Sequence, residues 1–174
     1  MTGGGQVGSR PGAGPPVANI EEVVVWTDGG ARGNPGPAGY GVVVTDGRGT
    51  VLAEVSEGIG WATNNVAEYR GVIAGLERAR ALGARRVQVR ADSLLVVNQQ
   101  LGRWKVKHEG LKALAAEARR LARGFQRVTW QHVPRERNRH ADALANEAMD
   151  RQGRVRRPGG VTSGPTGPVQ GTLG

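Results

Sequence analysis

The chain contains no cysteine. Disulfides, thiolate zinc sites and thiol nucleophiles are therefore excluded, and any metal must be held by oxygen or imidazole, which favours a hard cation such as magnesium. Long apolar runs are also missing, and nothing approaches the roughly 20 residues of a membrane span. Met1 to Pro16 is rich in glycine and lacks the apolar segment of a secretion signal, so a cytoplasmic setting without a membrane partner is expected. What is present suits one domain of ordinary size: 174 residues, 38% hydrophobic. Formal net charge is +9, which favours polyanionic partners in a general way. Residues 21–150 carry 19 basic and 15 acidic side chains, so about half of the excess lies outside them, on Arg10, Arg151, Arg154, Arg156 and Arg157. A basic, solvated surface explains the charge equally well.

Residues 1–19 and 153–174 are rich in Gly, Pro, Ser and Thr without apolar periodicity, and are expected to be disordered tails or linkers around a domain at 20–152. No internal repeat is visible. Val23 to Thr27 reads as a strand buried on both faces that ends at Asp28 and a glycine-rich turn. Tyr40 to Thr45 and Val51 to Val55 form two further strands. Asp46-Gly47-Arg48-Gly49 between them is a hairpin signal, so they should pair antiparallel. From Tyr69 the positions Val72, Ile73, Leu76, Ala79 and Leu82 follow a helical period, closed by Gly83. Val87, Val89 and Ala91 alternate as a fourth strand running into Asp92, and Leu94 to Gln100 is a short helix. Leu111, Leu114, Ala115, Ala118 and Leu121 stripe another helix. A fifth strand spans Arg127 to Val133, and Ala141, Leu144, Ala145, Ala148 and Met149 stripe the last helix. The order predicts an α/β (or α+β) mixed sheet, and right-handed crossovers place the fourth strand beside the first. That adjacency brings Asp28 and Asp92 together.

Taken singly, each acid has a structural explanation. Asp28 and Asp92 suit turns or helix caps, Glu68 lies three residues after Asn65 in a capping-box variant, and Asp142 complements the dipole of the last helix near Asn138. Taken together, two strand-end carboxylates with two helix N-termini aimed at them make a four-carboxylate cluster. Like charges so close require neutralisation by cations. Two magnesium ions about 4 Å apart would provide it and would suit phosphodiester hydrolysis.

Four segments in order carry a resemblance: Thr27-Asp28-Gly29-Gly30-Ala31-Arg32-Gly33-Asn34-Pro35-Gly36-Pro37-Ala38-Gly39, then Thr63-Asn64-Asn65-Val66-Ala67-Glu68, then Asp92-Ser93, then Asn138-Arg139-His140-Ala141-Asp142-Ala143-Leu144-Ala145. Across residues 23–150 these resemble the type 1 ribonuclease H family. The resemblance implies a five-stranded sheet in the order 3-2-1-4-5. It implies an endonuclease that cuts the RNA strand of an RNA/DNA hybrid, leaving 5′-phosphate and 3′-hydroxyl ends. Two Mg2+ ions, with Mn2+ as a substitute, would be held by Asp28, Glu68, Asp92 and Asp142. By the same resemblance Asp28 bridges both ions, Asp142 serves the water side, and Glu68 and Asp92 serve the leaving-group side.

Substrate contacts implied by the match are the backbone of Gly29, Gly30, Ala31 and Arg32 together with Asn34, Thr63, Asn64 and Asn65, which would read shape and the RNA 2′-hydroxyl. The sequence departs from the family in three places. The stretch from Asn98 to Leu111 is too short for the basic protrusion of some members and leaves Trp104, Lys105 and Lys107, with Trp104 either packing on a DNA sugar or anchoring the core. No catalytic histidine precedes Asp142: His132 belongs to the strand, His140 to the surface, and Arg135 or Glu136 stands in, with Arg135 preferred. Leu94 replaces a polar residue two places after the third acid. A hybrid- or duplex-RNA-binding module with weak or no cleavage is the competing reading. Some relatives carry a phosphatase domain after the nuclease, but no phosphatase motif is present here. A monomer without an obligate protein partner is the family expectation.

Overall fold

In the computed structural model residues 20–152 are described, and the expected tails at 1–19 and 153–174 lie outside the described residues. Five strands form one sheet: β1 (Glu22–Ala31), β2 (Gly36–Thr45), β3 (Val51–Ala62), β4 (Arg86–Ala91) and β5 (Arg127–His132). Their order is β3-β2-β1-β4-β5, with antiparallel pairing from β1 to β3 and parallel pairing among β1, β4 and β5. This is the expected order and the adjacency that sets Asp28 near Asp92. Four helices flank the sheet: α1 (Asn64–Ala81), α2 (Leu94–Gln100), α3 (Glu109–Arg123) and α4 (Arg139–Gln152). Among the described residues no helix is long and apolar enough to cross a membrane.

Successive residues of a strand face opposite sides, and β1 shows what covers each side. A Cβ on Gly29 would collide with the backbone of Ala67 and lie 2.5 Å from the Glu68 nitrogen in α1, whereas one on Gly30 would meet Met149 of α4 at 3.2 Å. Helices α1 and α4 therefore sandwich the sheet. The main core lies on the α1 side, where Val23, Val25, Val42, Val44, Leu76, Val89, Leu111, Ala115, Ala118 and Leu121 are buried together. On the other side Val24 and Trp26 are only half-buried, so β1 is not buried on both faces as its composition suggested. The cause is coverage: α4 lies over β2, β3 and β1, and leaves the rest of that face open. There Arg90 stacks on the Trp26 ring, 4.6 Å from its centroid.

Two strand ends also differ from expectation. β1 does not stop at Asp28 but continues through Gly29, Gly30 and Ala31, paired with Tyr40, Gly39 and Ala38. β3 runs past Val55 to Ala62, supported by Tyr40 Oη donating to Glu57 Oε2 at 2.7 Å and Ser56 Oγ donating to the Leu144 carbonyl at 2.6 Å. Gly29 and Gly30 read as a turn in the sequence but are strand residues. At Gly29, Gly39 and Gly41 of β1 and β2 a helix approaches the backbone too closely for a side chain. The hairpin at Asp46 to Gly49 is as expected, with Asp46 Oδ1 accepting from the Arg48 and Thr50 amides at 2.8 and 2.9 Å.

Candidate active site

The parallel ladder between β1 and β4 ends at the pair Thr27 and Ala91. Asp28 and Asp92 are the next residues on each strand, so the splaying chains open a gap between two carboxylates. Helix α1 begins at Asn64, earlier than its apolar stripe indicated. Thr63 caps it, its Oγ1 accepting from the Val66 amide at 3.3 Å. Glu68 sits in the next turn and points to the same gap. One carboxylate oxygen each from Asp28, Glu68 and Asp92 lies within 4.8 Å of the others. Asp142, in the first turn of α4, stands outside this three-acid cluster but close enough to Asp28 to help raise its carboxyl. All four line one open cavity of about 470 Å³, together with Arg32, Arg135 and Asn146 among others.

Burial and crowding set the electrostatics. Desolvation first, then the charges of Asp92 and Asp142, push the Asp28 carboxyl up to about 8. Burial, followed by the charges of Asp28 and Asp92, raises Glu68 well above its ordinary value, with the nearby Gly29 amide opposing the rise. The Glu68 Oε2 atom is buried without a hydrogen-bond partner. An orphaned carboxylate oxygen in an all-oxygen, like-charged cluster is the donor set a hard divalent cation satisfies. The residues therefore fit the group that the family implies.

The rim of the cavity gathers the other sequence-predicted residues. The Ala31 amide donates to Asn64 Oδ1 at 2.7 Å, and the Asn64 amide donates to Asn34 Oδ1 at 3.1 Å. Gly29, Gly30 and Ala31 belong to β1 and not to a turn, and only Arg32 and Asn34 lie in the connection to β2. Arg32 extends back across the rim, its Nη2 donating to Asn146 Oδ1 at 3.2 Å and Asp150 Oδ1 at 3.0 Å. Thr63 and Asn65 flank Asn64 at the start of α1, Thr63 half-buried and Asn65 exposed.

The short connection from α2 to α3 places Trp104 in solvent, 47% exposed, which removes the core-anchor reading. Trp104 and Lys105 line a groove of about 450 Å³ with Lys112 and Arg119, while Lys107 is exposed nearby. Beside the groove, Tyr69 Oη of α1 donates to Gln99 Oε1 of α2 at 2.6 Å, and Arg119 Nη2 of α3 donates to the Gln99 carbonyl at 3.1 Å.

Of the candidates to replace a histidine, Arg135 is the one at the acids, its Nη2 3.4 Å from Asp142 Oδ1. His132 ends β5 with Nε2 3.2 Å from the Asp92 carbonyl. His140 lies half exposed against Glu54, 2.6 Å away. Asn146 escaped the sequence reading, although its place four residues after Asp142 puts both on one helix face.

A family model described as "Reverse transcriptase-like" matches residues 26–148. The chain is 59% identical over 130 residues to a bifunctional protein of Mycobacterium tuberculosis, a match covering 74% of this chain and 36% of that protein. It is 46% identical over 128 residues to a ribonuclease HI of Halobacterium salinarum, covering 74% of this chain and 64% of that one. The chain thus spans about a third of the length of its mycobacterial relative. Among solved structures, a ribonuclease H1 from a compost metagenome, in complex with an RNA/DNA hybrid, superposes with a TM-score of 0.71 at 46% identity, covering 74% of this chain and 97% of that one. Sheet order, acidic cluster and relatives agree, and the chain belongs to the type 1 ribonuclease H family.

Proposed function

We propose that this chain hydrolyses the RNA strand of RNA/DNA hybrids, with Asp28, Glu68, Asp92 and Asp142 holding two divalent ions, Mg2+ or in its place Mn2+. The observation that carries this reading is the convergence of Asp28, Glu68 and Asp92 within 4.8 Å, from two strand ends and a helix, in an open cavity. A relative of the same fold is described in complex with such a hybrid, which supports the substrate class.

When bound, hard divalent ions supply Lewis acidity and neutralise charge that builds on the reacting phosphate. The chain's own part is to hold and place. Asp28, which neighbours Glu68 and Asp92 on one side and Asp142 on the other, would be the central ligand. In the overall reaction water adds to phosphorus and the P–O3′ bond breaks, leaving a 5′-phosphate and a 3′-hydroxyl. Arg135, three-quarters exposed beside Asp142, is placed to exchange a contact with that carboxylate for one with the departing phosphate. The rim from Gly29 to Arg32 with Asn34, Thr63, Asn64 and Asn65 offers backbone and short amide groups to the RNA sugar edge. Trp104, Lys105 and Lys107 would meet a DNA sugar and its phosphates, the exposed ring supplying a packing surface and the lysines the charge.

The test is cleavage of an end-labelled hybrid by the purified chain with Mg2+ or Mn2+, against duplex RNA and duplex DNA. Cleavage of the RNA strand in the hybrid, lost in Asp28→Asn, is expected. Binding without cleavage would establish the alternative of a hybrid-binding module, and undiminished cleavage by Asp28→Asn would show the acids to be misassigned.

A further inference from the structure

We propose that Asn146 is a positioning residue that orients the Asp142 carboxylate, with Arg32 as the anchor that fixes Asn146. The inference rests on the nuclease reading above and adds to it two side chains and a role.

Asp142, Asn146 and Asp150 recur at intervals of four along α4 and so share one helix face, which borders the acidic cavity. Asn146 Nδ2 donates to Asp142 Oδ2 at 3.2 Å. An asparagine amide can present either end to a neighbour, so this contact would mean little alone. Arg32 decides the matter. Its guanidinium has donors only, and Nη2 meets Asn146 Oδ1 at 3.2 Å, so the acceptor end of the amide is taken and the NH2 end must face Asp142. Arg32 is itself held by Asp150 at 3.0 Å. That ion pair is exposed and contributes little stability, but it restricts where the guanidinium sits.

Asp142 needs such support more than the other acids do. Asp28, Glu68 and Asp92 are gathered by the backbone, whereas Asp142 stands outside their cluster on a separate helix. Its other oxygen meets Arg135 at 3.4 Å, a long contact from a side chain that is 75% exposed. Asn146 is the half-buried partner with a fixed orientation. Arg32, read from the sequence as a contributor to substrate binding, here links the β1–β2 connection to α4. Partners that orient a ligand carboxylate are typically worth about 10–100-fold in metal affinity or rate.

The experiment uses the full chain and four variants: Asn146→Ala, Asn146→Asp, Arg32→Ala and the Arg32→Ala/Asn146→Ala pair. Each is measured for steady-state hybrid cleavage, for calorimetric binding of Mn2+ alone, and for melting temperature in chelator. Asn146→Ala should lower kcat by about 10-fold or more and weaken Mn2+ binding, with KM and melting temperature near wild type. Asn146→Asp keeps the shape and the Arg32 partner but cannot donate to Asp142, and should lose kcat to a similar extent. Arg32→Ala should fall in the same direction, with the double variant no worse than Asn146→Ala alone, as expected for one chain of contacts. The proposal is overturned if Asn146→Ala retains wild-type kcat and Mn2+ affinity, or if Asn146→Asp retains wild-type kcat. It is equally overturned if Arg32→Ala raises KM and its effect adds to that of Asn146→Ala, because Arg32 would then touch substrate. Failure of the wild-type chain to cut hybrids sinks the nuclease reading instead, and Mn2+ binding by Asn146→Ala then decides the relay separately.

Discussion

Replacing Asp28 with Asn should abolish cleavage and yet make the metal-free protein more stable at neutral pH. The side chain is 7% exposed, and burial followed by the charge of Asp92 lifts its carboxyl from 3.8 to about 8. An acid whose folded value exceeds its unfolded value binds a proton more tightly on folding. Its contribution is whole below about pH 4 and is lost as pH rises through about 8, so the metal-free protein weakens across that window. Glu68, raised for the same reason, acts in the same direction. At pH 7 the gap from the unfolded value is about 3 pH units, which corresponds to about 4 kcal/mol at most. Relaxation and water entry leave about 1–4 kcal/mol, or roughly 3–15 °C in melting temperature for a domain of this size. Asn has the same shape and does not titrate. Melts of both proteins from pH 4 to 8 in chelator should diverge steadily, with the variant higher at pH 8. Added Mn2+ should reverse the order, because only wild type gains the full binding term. A gap that fails to widen with pH, or a variant below wild type at pH 8 in chelator, would refute the electrostatic account.

Gly29→Ala should cost about 1–3 kcal/mol and reduce cleavage as well, since the new Cβ would push α1 and Glu68 away from β1; unchanged melting and activity would show the contact to be slack. Tyr69→Phe leaves the buried Gln99 Oε1 without its 2.6 Å donor and should lower stability by about 1–3 kcal/mol, read as a shift in the urea midpoint. Trp104→Ala should raise KM for the hybrid several-fold with kcat and melting temperature unchanged, and a loss of several degrees would mean that the ring holds the fold together.

Element order was readable because alternating Val87, Val89 and Ala91, and the striped Leu111 to Leu121, report a buried face directly. The chemistry-bearing ends were less readable, for reasons visible in particular residues. Gly29 looks like a turn former, but it is a strand residue whose missing side chain lets α1 approach, as the strand residue Gly41 lets α4 approach. Asn64, Asn65 and Glu68 face the cavity, so the apolar stripe of α1 starts only at Tyr69, and the cap is Thr63 where the spacing to Glu68 suggested Asn65. The role of Trp104 could not be decided from composition, since a ring between lysines suits a core edge and a surface alike. Asn146 gave no signal beyond spacing, and its meaning depends on Arg32, over a hundred positions away. The four acids were found because their local sequences are distinctive. Why Asp142 stands apart from the other three was visible only in three dimensions.

The eight residues from Leu101 to His108 join α2 to α3 at the surface and carry the exposed tryptophan and both lysines, while every acid is fixed by other parts of the chain. On the proposed function, grip and chemistry would belong to separable stretches of polypeptide. A longer, more basic insert at Gly102, whose φ of +75° already marks a bend, should then change the affinity for a polyanion and leave the acidic cavity as it is.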